Sequence, residues 1–445
     1  MKSIKITYII LLFTMTSCAE DWLDIKQNKS VVVPQTLSDL AALMDNSDIM
    51  LYTTPMLGML AADNLYLTSE DWNSLAYPYE KNAYVWADDI YEGNTNYNWN
   101  TPYAAVLVTN IVLEGLKKID PSRGQQADWN HIRGRALFYR SWMFYHLTQV
   151  FCRQYNHESA NVNLGIPLRL ESDINITSTR ASLQETYEQI VNDLLESLSL
   201  LPEVPVIKTR PGLAAAHGLL ARVYLQMSNF EEAEKHAEAA LDIQSALLDF
   251  NMLDTDRSYP FEQLNEEVIF HTTLYPFSQY IKISSELYDK YDSGDLRKKL
   301  FFREDQDLIH FRGSYDANIT LFAGLATDEM YLIKAECQAR SQNQVAALTT
   351  LNELLVTRWT TGSFEPYTRS GEVLEEILLE RRKSLLFRGI RWMDLKRLNL
   401  ESEHATILER TLNGNEYQLL SNSPRYAFPI PDDVISLSGI EQNLY

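Results

Sequence analysis

The feature that most constrains the fold of this chain is a pattern of small residues at helical spacing. The segment AAAHGLLARVYLQMSNFEEAEKHAEAAL places Ala221 and Tyr224 before a polar turn, and Ala233, Ala237 and Ala240 after it. Small side chains at these offsets let two consecutive helices pack closely against each other. The segment therefore predicts a pair of antiparallel helices.

Two further segments predict helix pairs of the same kind. MYLIKAECQARSQNQVAALTTLNELL carries Ala335, Ala347, Leu351 and Leu354 at corresponding offsets, and TPYAAVLVTNIVLEGLKKI with HIRGRALFYRSWMFYHLTQVF indicates another pair. The offsets match the tetratricopeptide pattern, whose helix pairs stack into a continuous scaffold. We therefore predict a mostly α-helical protein built from stacked helix pairs.

A further helix is indicated in SLQETYEQIVNDLLESLSLLP. Ser182 is a capping residue with Glu185 three positions later, and Pro202 stops the pattern. This combination is typical of a capping box followed by an amphipathic helix.

Cys152 and Cys337 lie in apolar segments with helical patterns. Neither cysteine takes part in a metal-ligand spacing. We predict two buried thiols rather than a disulfide.

The first residues, MKSIKITYIILLFTMTSC, have the parts of a secretory signal. Lys2 and Lys5 precede an apolar run that is too short to span a bilayer. The ending TMTSC resembles the lipobox of bacterial lipoproteins, which predicts cleavage after residue 17 and lipidation of Cys18. Acyl chains would then hold the protein on a membrane without a transmembrane helix. The alternative is an ordinary secreted protein with a chance cysteine at this position.

The charge balance argues against nucleic acid as a partner. The chain has 60 acidic and 39 basic residues, a formal charge of −21, so most of its surface repels phosphates.

Phosphate loops, zinc-protease motifs and nucleophile elbows are absent from the sequence, and we predict no catalytic residues, metal site or cofactor. Carboxylate pairs of the glycosidase kind stay open. Asp88 and Asp89 offer oxygen ligands for structural calcium, but no EF-hand spacing accompanies them.

An aromatic-rich segment precedes the first helix pair. It holds nine aromatic residues within 32 positions: Trp72, Tyr77, Tyr79, Tyr84, Trp86, Tyr91, Tyr97, Trp99 and Tyr103. Asparagines and aspartates are interleaved with them. Flat rings beside amides and carboxylates suit sugar recognition, because the ring covers C–H groups and the polar groups bind hydroxyls. The alternative is that these rings fill the core, which we expect for Trp99 and Tyr103.

A basic stretch, ERRKSLLFRGIRWMDLKRL, spans residues 380–398. Acidic residues precede it, leucines supply an apolar face, and Gly389 is a natural helix stop. After this stop, Trp392 and Met393 are predicted to continue the core. We predict that the stretch is part of the frame, with its basic side chains in ion pairs. An anion site made by Arg381, Arg382 and Arg388 is the alternative.

This basic stretch, with its ERR…LLFRGIRWMDLKRL pattern, resembles the corresponding part of the SusD/RagB family. GIPLRLE, LYDKYDSGDLRKKLFF, the start SCAEDWLDI and the end AFPIPDDVISLSGIEQNLY resemble other markers of that family, in the family's order. The resemblance implies about four tetratricopeptide-like helix pairs and few short strands. These support a loop-rich face that binds a ligand and carries out no catalysis.

The resemblance also implies a cellular role. Members of this family are surface lipoproteins of the outer membrane in Bacteroidetes, and each partners a SusC-like TonB-dependent β-barrel transporter. They capture an oligosaccharide or a peptide for uptake. Some glycan-binding members place stacking residues before the first repeat helix, which singles out Trp72, Tyr77, Trp86 and Tyr91 here.

By the same resemblance, we expect three parts of the chain: a signal peptide at 1–17, an N-terminal region at 18–245 and a C-terminal region at 246–445. Two other functions stay open. One is a helical scaffold that binds only the transporter, and the other is a surface glycoside hydrolase.

Overall fold

Helices form most of the regular structure in a computed structural model of the chain, which describes residues 34–52, 54–274, 281–368 and 371–445. The helices among these residues are α1 Leu37–Met44, α2 Ser47–Met50, α3 Leu57–Ala61, α4 Ser69–Ser74, α5 Pro78–Tyr84, α6 Tyr97–Leu116, α7 Gln126–Phe151, α8 Leu183–Leu198, α9 Leu213–Gln226, α10 Phe230–Ile243, α11 Ser285–Tyr288, α12 Arg297–Leu300, α13 Thr327–Arg340, α14 Gln344–Leu355, α15 Val373–Ser384, α16 Arg391–Leu398 and α17 Asp432–Ser438. The predicted mostly helical fold is confirmed.

The strands are short and form small antiparallel sheets. They are β1 Leu164–Pro167, β2 Arg180–Ser182, β3 Val268–Phe270, β4 Thr273–Leu274, β5 Lys282–Ile283, β6 Phe302–Asp305, β7 Leu308–Phe311, β8 Leu321–Phe322, β9 Leu325–Ala326, β10 Leu408–Leu412 and β11 Asn415–Leu419. The pairs are β1 with β2, β3 with β9, β4 with β8 and β10 with β11, and β7 lies between β5 and β6.

The helices pack as a continuous stack. The three pairs predicted from the sequence are present as α6 with α7, α9 with α10, and α13 with α14. Helix α8 packs on α7 and α9, and α15 packs on α13. Helix α10 contacts α13, so the stack continues past residue 245. The division into regions 18–245 and 246–445 stays a prediction.

Local sequence signals explain where these helices begin and how closely they approach. At the start of α8, the Ser182 hydroxyl accepts a hydrogen bond from the Glu185 amide at 3.1 Å, and the Glu185 carboxylate accepts one from the Ser182 amide at 2.8 Å. This is the predicted capping box. Ala221, Ala233 and Ala237 are completely buried between α9 and neighbouring helices, as close helix packing requires.

One strand pair was missed by the sequence analysis although its signal was present. Strands β10 and β11 are joined by Asn413 and Gly414, whose φ angles are 51° and 79°. Two consecutive positive φ angles define the hairpin turn that Asn-Gly favours. The Asn413 side chain then hydrogen-bonds to Asn73, which ties the hairpin tip to the aromatic-rich segment.

The basic stretch of residues 380–398 is part of the frame, as predicted. Three of its arginines form ion pairs with buried carboxylates: Arg388 with Asp328 at 2.8 Å, Arg397 with Glu336 and Asp394, and Arg381 with Asp394 at 2.9 Å. The terminal nitrogens of Arg381 have no acceptor among the described residues, but the side chain is only 1% exposed. An anion in solvent therefore has no access to them.

The partners of this stretch differ in part from the acidic residues next to it in sequence. Arg382 and Arg391 both pair with Asp63, in the N-terminal part of the chain, at 3.0 and 2.7 Å. The first helix of the stretch ends at Ser384, five residues before the predicted stop at Gly389. The chain turns earlier because Leu385 and the two apolar residues after it pack into the core.

Burial and ion pairing oppose each other at these carboxylates. Burial alone raises the pKa of Asp394, but Arg381 and Arg397 outweigh it and lower that pKa. The pKa of Glu336 is lowered in the same way by Arg397 and Arg340. Both groups are therefore ionised and depend on their arginine partners.

Lys396, within the same stretch, has a different environment. Its amine donates hydrogen bonds to the backbone oxygens of Gln149 at 2.8 Å and Cys152 at 2.6 Å, where α7 ends. Burial lowers the pKa of Lys396 to about 7. This lysine therefore caps the C-terminal end of α7 and titrates near neutral pH.

Two further predictions concern the cysteines and the membrane. Cys152 and Cys337 are buried free thiols, as predicted. In the described ranges, no helix combines the length and the apolar character that crossing a bilayer requires. The signal segment and Cys18 lie outside the described residues.

Replacing one shared carboxylate tests the role of the ion pairs. We expect Asp394→Asn to lower the free energy of unfolding by about 3 kcal/mol, because two buried guanidinium groups lose an anionic partner. Denaturant titration followed by circular dichroism measures this change. Glu196→Gln is the matched control, since its pair with Arg133 is exposed and is expected to contribute at most about 1 kcal/mol. Equal losses in the two variants would contradict the structural role of the network.

The pH dependence of stability tests the environment of Lys396. Between pH 7 and 9 the unfolded chain keeps a proton on this lysine that the folded chain has released, so this group makes stability rise with pH. We expect Lys396→Met to remove about 2 kcal/mol of that rise across the window. The measurement is denaturant unfolding at several pH values. The exposed Lys118→Met variant should keep the slope of the unmodified protein, and an unchanged slope in Lys396→Met would refute the assignment.

Candidate functional site

Two of the four predicted ligand-binding aromatics are buried. Trp86 is 0% exposed and its indole nitrogen donates to the Ala61 oxygen at 3.1 Å. Tyr91 is 2% exposed and its hydroxyl donates to the Pro429 oxygen at 2.7 Å. A ring without exposed surface has no face on which a sugar can stack. The burial argues against direct ligand contact at both positions.

Arg410, on strand β10, explains why the aromatic segment folds inward at this point. The carbon at the centre of its guanidinium group lies 3.6 Å from the centre of the Tyr84 ring and 4.4 Å from that of Trp86. The guanidinium group also donates to the backbone oxygens of residues 60–62, at the end of α3. Burial lowers the pKa of Arg410 to about 10. These cation–π and hydrogen-bond contacts join the hairpin to the aromatic segment.

Trp72 is half-buried. Its indole nitrogen donates to the Lys81 oxygen at 3.0 Å, which fixes the orientation of the ring on α4.

Trp99 and Tyr103, by contrast, pack in the core as predicted. The Trp99 ring centre lies 4.9 Å from that of Phe151, and the Tyr103 ring packs against Trp99.

Tyr77 is the predicted site residue with the most exposed side chain, at 57%. One face of its ring stacks on Tyr79, with ring centres 5.4 Å apart and an angle of 15° between the planes. Tyr79 in turn meets the edge of the Tyr97 ring at 5.9 Å, and Tyr97 is 41% exposed. We call Tyr77, Tyr79 and Tyr97 the tyrosine cluster. The rings of Tyr77 and Tyr97 are exposed to solvent, and both pack against the buried Tyr79.

The start of helix α5 positions Tyr77. Pro78 occupies the first helical position, where its fixed φ angle suits the helix and its missing amide hydrogen has no cost. The Tyr77 amide donates to the Glu80 carboxylate at 3.2 Å, which closes the first turn. Tyr97 is held by a hydrogen bond from its hydroxyl to the Met56 sulfur. The tyrosine cluster is therefore anchored by its backbone and by side-chain contacts.

A groove of about 650 Å³ lies beside the aromatic-rich segment, of which only Tyr84 lines it. It runs between residues 63–67, residues 284–290 and strand β10, and we call it the loop groove. Tyr66, which is 42% exposed, lines it together with charged side chains that include Glu286 and Lys290. The Tyr66 amide donates to the Lys282 oxygen at 2.9 Å, and Lys282 pairs with Asp71 at 2.8 Å. An open ring beside charged hydrogen-bonding groups is suited to a polar ligand such as a sugar.

Asp63 lines this groove and also forms ion pairs with Arg382 and Arg391 of the basic stretch. Burial alone raises the pKa of its carboxyl group, but Arg391 and Arg382 outweigh this and hold the pKa well below its usual range. A general acid of the glycosidase kind requires the opposite shift. Asp63 is therefore a structural anion at the base of the groove.

The aspartates considered for calcium have other partners. Asp88 forms an ion pair with Arg425, and Asp89 accepts hydrogen bonds from the backbone amides of Tyr91 and Glu92 at 3.2 and 2.8 Å. Within the described ranges, no group of three or more histidine, cysteine, aspartate or glutamate side chains is placed to hold a metal ion.

Sequence reasoning missed Tyr66 and the loop groove. Tyr66 stands six residues before the aromatic run that begins at Trp72 and carries no amide neighbours of its own except Asn64. The groove also depends on β10, which is more than 300 residues away in the chain. Its one local signal was the Asn413-Gly414 turn.

Two family models match the chain. One, described as "Starch-binding associating with outer membrane", matches residues 21–225, and the other, described as "SusD family", matches residues 327–445. Together they cover both ends of the helical stack and include the aromatic-rich segment and the basic stretch.

Individual proteins agree with these matches along almost the whole chain. A SusD-like protein P2 of Formosa agariphila is 24% identical over 91% of this chain and 92% of its own length. A solved putative sugar binding protein from Bacteroides vulgatus superposes with a TM-score of 0.77 at 20% identity, over 93% of this chain and 99% of that one. The surface glycan-binding protein A of Bacteroides uniformis superposes with a TM-score of 0.70 at 16% identity, over 92% and 99%. The chain belongs to the SusD/RagB family.

Proposed function

We propose that this protein is a lipid-anchored protein of the outer membrane that binds a nutrient oligomer, most simply a glycan, at the cell surface. Proteins of the SusD family bind carbohydrates and associate with the outer membrane. Two of the structural neighbours bear names that state sugar or glycan binding. These relationships support carbohydrate as the ligand class.

The observation that carries the proposal is the open ring face of Tyr77. A sugar presents C–H groups on one face of its ring, and an exposed aromatic ring of fixed orientation is a surface on which that face can stack. Tyr79 supports Tyr77 from behind, and Tyr97 extends the exposed aromatic surface. The half-buried Trp72 remains a proposed contact residue, since part of its ring is exposed.

The loop groove offers polar groups for the proposed glycan. Tyr66 offers a second exposed ring, while Glu286 and Lys290 supply an acceptor and donors for hydroxyl groups. A ligand that is an oligomer has several sugar units, and separate aromatic surfaces can each take one unit. The arrangement favours an oligosaccharide over a single sugar.

Delivery to a transporter and the lipid anchor are the further parts of the proposal. We infer that Cys18 is acylated and holds the protein on the outer membrane, and that a SusC-like TonB-dependent barrel receives the captured oligomer. The TMTSC ending and the family membership support both inferences. No step in this role requires catalysis, a cofactor or nucleic acid.

Substitution of Tyr77 tests the glycan-binding part. We expect Tyr77→Ala to weaken binding of a malto-oligosaccharide or another glycan by about tenfold, because one stacked ring is worth roughly 0.5–1.5 kcal/mol beyond its buried area. Affinity electrophoresis against starch and a panel of plant, algal and host polysaccharides identifies the glycan, and calorimetry gives the affinities. Tyr77→Phe is the matched control and should bind nearly as well, since it keeps the ring.

Three results would point elsewhere. Binding to none of the polysaccharides, with binding to a peptide library, would replace the glycan by a peptide. Binding to neither would favour a scaffold that contacts only the transporter. Release of shorter products from a polysaccharide, abolished by one carboxylate substitution, would make the protein a hydrolase.

A further inference from the structure

A separate cavity of about 260 Å³ lies between the loop that follows α7 and the C-terminal part of the chain. Its polar lining includes Arg153, Gln154, Lys396, Asn399 and Tyr426. It shares no lining residue with the loop groove and none with the tyrosine cluster. Its volume is slightly below that of pockets for drug-sized ligands, so it suits a molecule of about one sugar in size.

The charge of this cavity is opposite to that of the whole chain. The formal charge of the protein is −21, yet the side chains that line the cavity, all within the described part of the chain, include two basic residues, Arg153 and Lys396, and no carboxylate. We call it the cationic cavity. Hydroxyl and amide groups of Ser159, Asn163 and Asn422 also line it and can donate hydrogen bonds. Such a lining favours an anionic group.

Lys396 provides a fixed donor at the wall of the cavity. Lys396 is 3% exposed, and its amine carries three N–H groups when it is protonated, below its pKa of about 7. Two of them are used by the backbone oxygens of Gln149 and Cys152. The third has no acceptor among the described residues. The protonated amine therefore keeps one N–H group for an acceptor on a ligand.

Other lining residues are also held in place. The Asn399 side-chain oxygen accepts from the Thr406 amide at 2.9 Å, and its backbone oxygen accepts from the Asn422 side chain at 2.7 Å. The Tyr426 ring stacks on Trp392 with ring centres 4.6 Å apart. Asn399 and Tyr426 are both more than nine-tenths buried. Groups that are fixed before binding lose little conformational freedom when a ligand arrives.

Gln154 adds an acceptor to these donors. Its side-chain nitrogen donates to the Gln226 oxygen at 2.6 Å, whereas its buried side-chain oxygen has no partner in the described ranges. A buried acceptor without a donor has a free-energy cost that a ligand hydroxyl would remove. The cavity thus combines cations for an oxyanion with an acceptor for a hydroxyl.

We propose that the cationic cavity is a second binding site, for a small hydroxylated molecule that carries an oxyanion, either a carboxylate or a sulfate. An acidic sugar has this chemistry. Arg153, at the mouth, and Lys396, at the wall, contact the oxyanion, and the Gln154 side-chain oxygen accepts from a hydroxyl. The site is additional to the proposed glycan-binding face and does not depend on it.

The test compares three probes of similar size: glucuronate, glucose 6-sulfate and neutral glucose. Saturation-transfer NMR and calorimetry are run on the full mature chain at about pH 6, below the pKa of Lys396, so that its amine is protonated. The salt concentration is about 0.15 M, where the Debye length of about 8 Å limits repulsion by the distant negative charges. We expect at least one acidic sugar to bind while glucose does not, and the preferred probe distinguishes a carboxylate from a sulfate site. Equal behaviour of all three probes overturns the proposal.

Arg153→Gln is the decisive variant, because Arg153 is exposed and its loss should leave the fold intact. We expect it to weaken acidic-sugar binding by about tenfold, the loss of one charge-assisted hydrogen bond. Arg123→Gln is the matched control: it makes the same change of charge just before α7, about 40 Å away along this 26-residue helix. Equal effects of the two variants would mean that binding depends only on the net charge of the protein, and this result would refute the site.

Two more variants test whether the acidic sugar binds in this cavity or at the tyrosine cluster. Lys396→Met should abolish binding, and if it does not fold, the two arginine variants decide the question alone. Tyr77→Ala should leave acidic-sugar binding at the cationic cavity unchanged. A loss of this binding in Tyr77→Ala would place the probes at the tyrosine cluster instead and overturn the second site.

Discussion

The structure depends on a network of buried ion pairs between arginines and carboxylates. Arg397 joins α16 to Glu336 on α13, and it shares Asp394 with Arg381 on α15. Arg297 pairs with Asp295 and with a glutamate of the same α15 helix. Removing such charges from water is costly, and the cost is offset only while every partner is present and well oriented. A different arrangement of these helices would leave buried charges unpaired, so the network disfavours it.

The same network connects the two ends of the chain and so positions the candidate site. Asp63 lies in the N-terminal part, yet it is held by Arg382 and Arg391 from the C-terminal part. Arg410 reaches from the hairpin to the backbone at residues 60–62 and covers the Tyr84 and Trp86 rings. Before α6 begins at Tyr97, the aromatic-rich segment contains only short helices, and these contacts add to their limited packing. The exposed rings of the face thus rest on a rigid base.

Much of the fold could be predicted from the sequence because its signals are local. Small residues at helical offsets gave the helix pairs, and Ser182 with Glu185 gave the start of α8. The aromatic-rich segment was harder to predict. Tyr77 and Trp86 have similar sequence surroundings, but Tyr77 lies on the surface and Trp86 lies in the core. The difference comes from Arg410 and from the carbonyl groups of α3, which are distant in sequence. A local pattern carries no information about such contacts.

The basic stretch illustrates the same limit. Its role as frame followed from its mixture of leucines and arginines, but its partners did not, because Asp63 and Glu336 are far from it in the chain. The cationic cavity has a similar origin, since Arg153 and Lys396 are more than 200 residues apart. Sequence could indicate which side chains are buried and charged, and only the folded chain shows which of them meet.

The most direct test of the proposed role is to isolate the native protein from its own outer membranes in mild detergent and to identify what accompanies it. We predict that a TonB-dependent barrel co-purifies in a stable complex, and that mass spectrometry of the complex finds a bound oligosaccharide. A protein that comes out alone, under conditions that keep other outer-membrane complexes intact, would contradict delivery to a transporter.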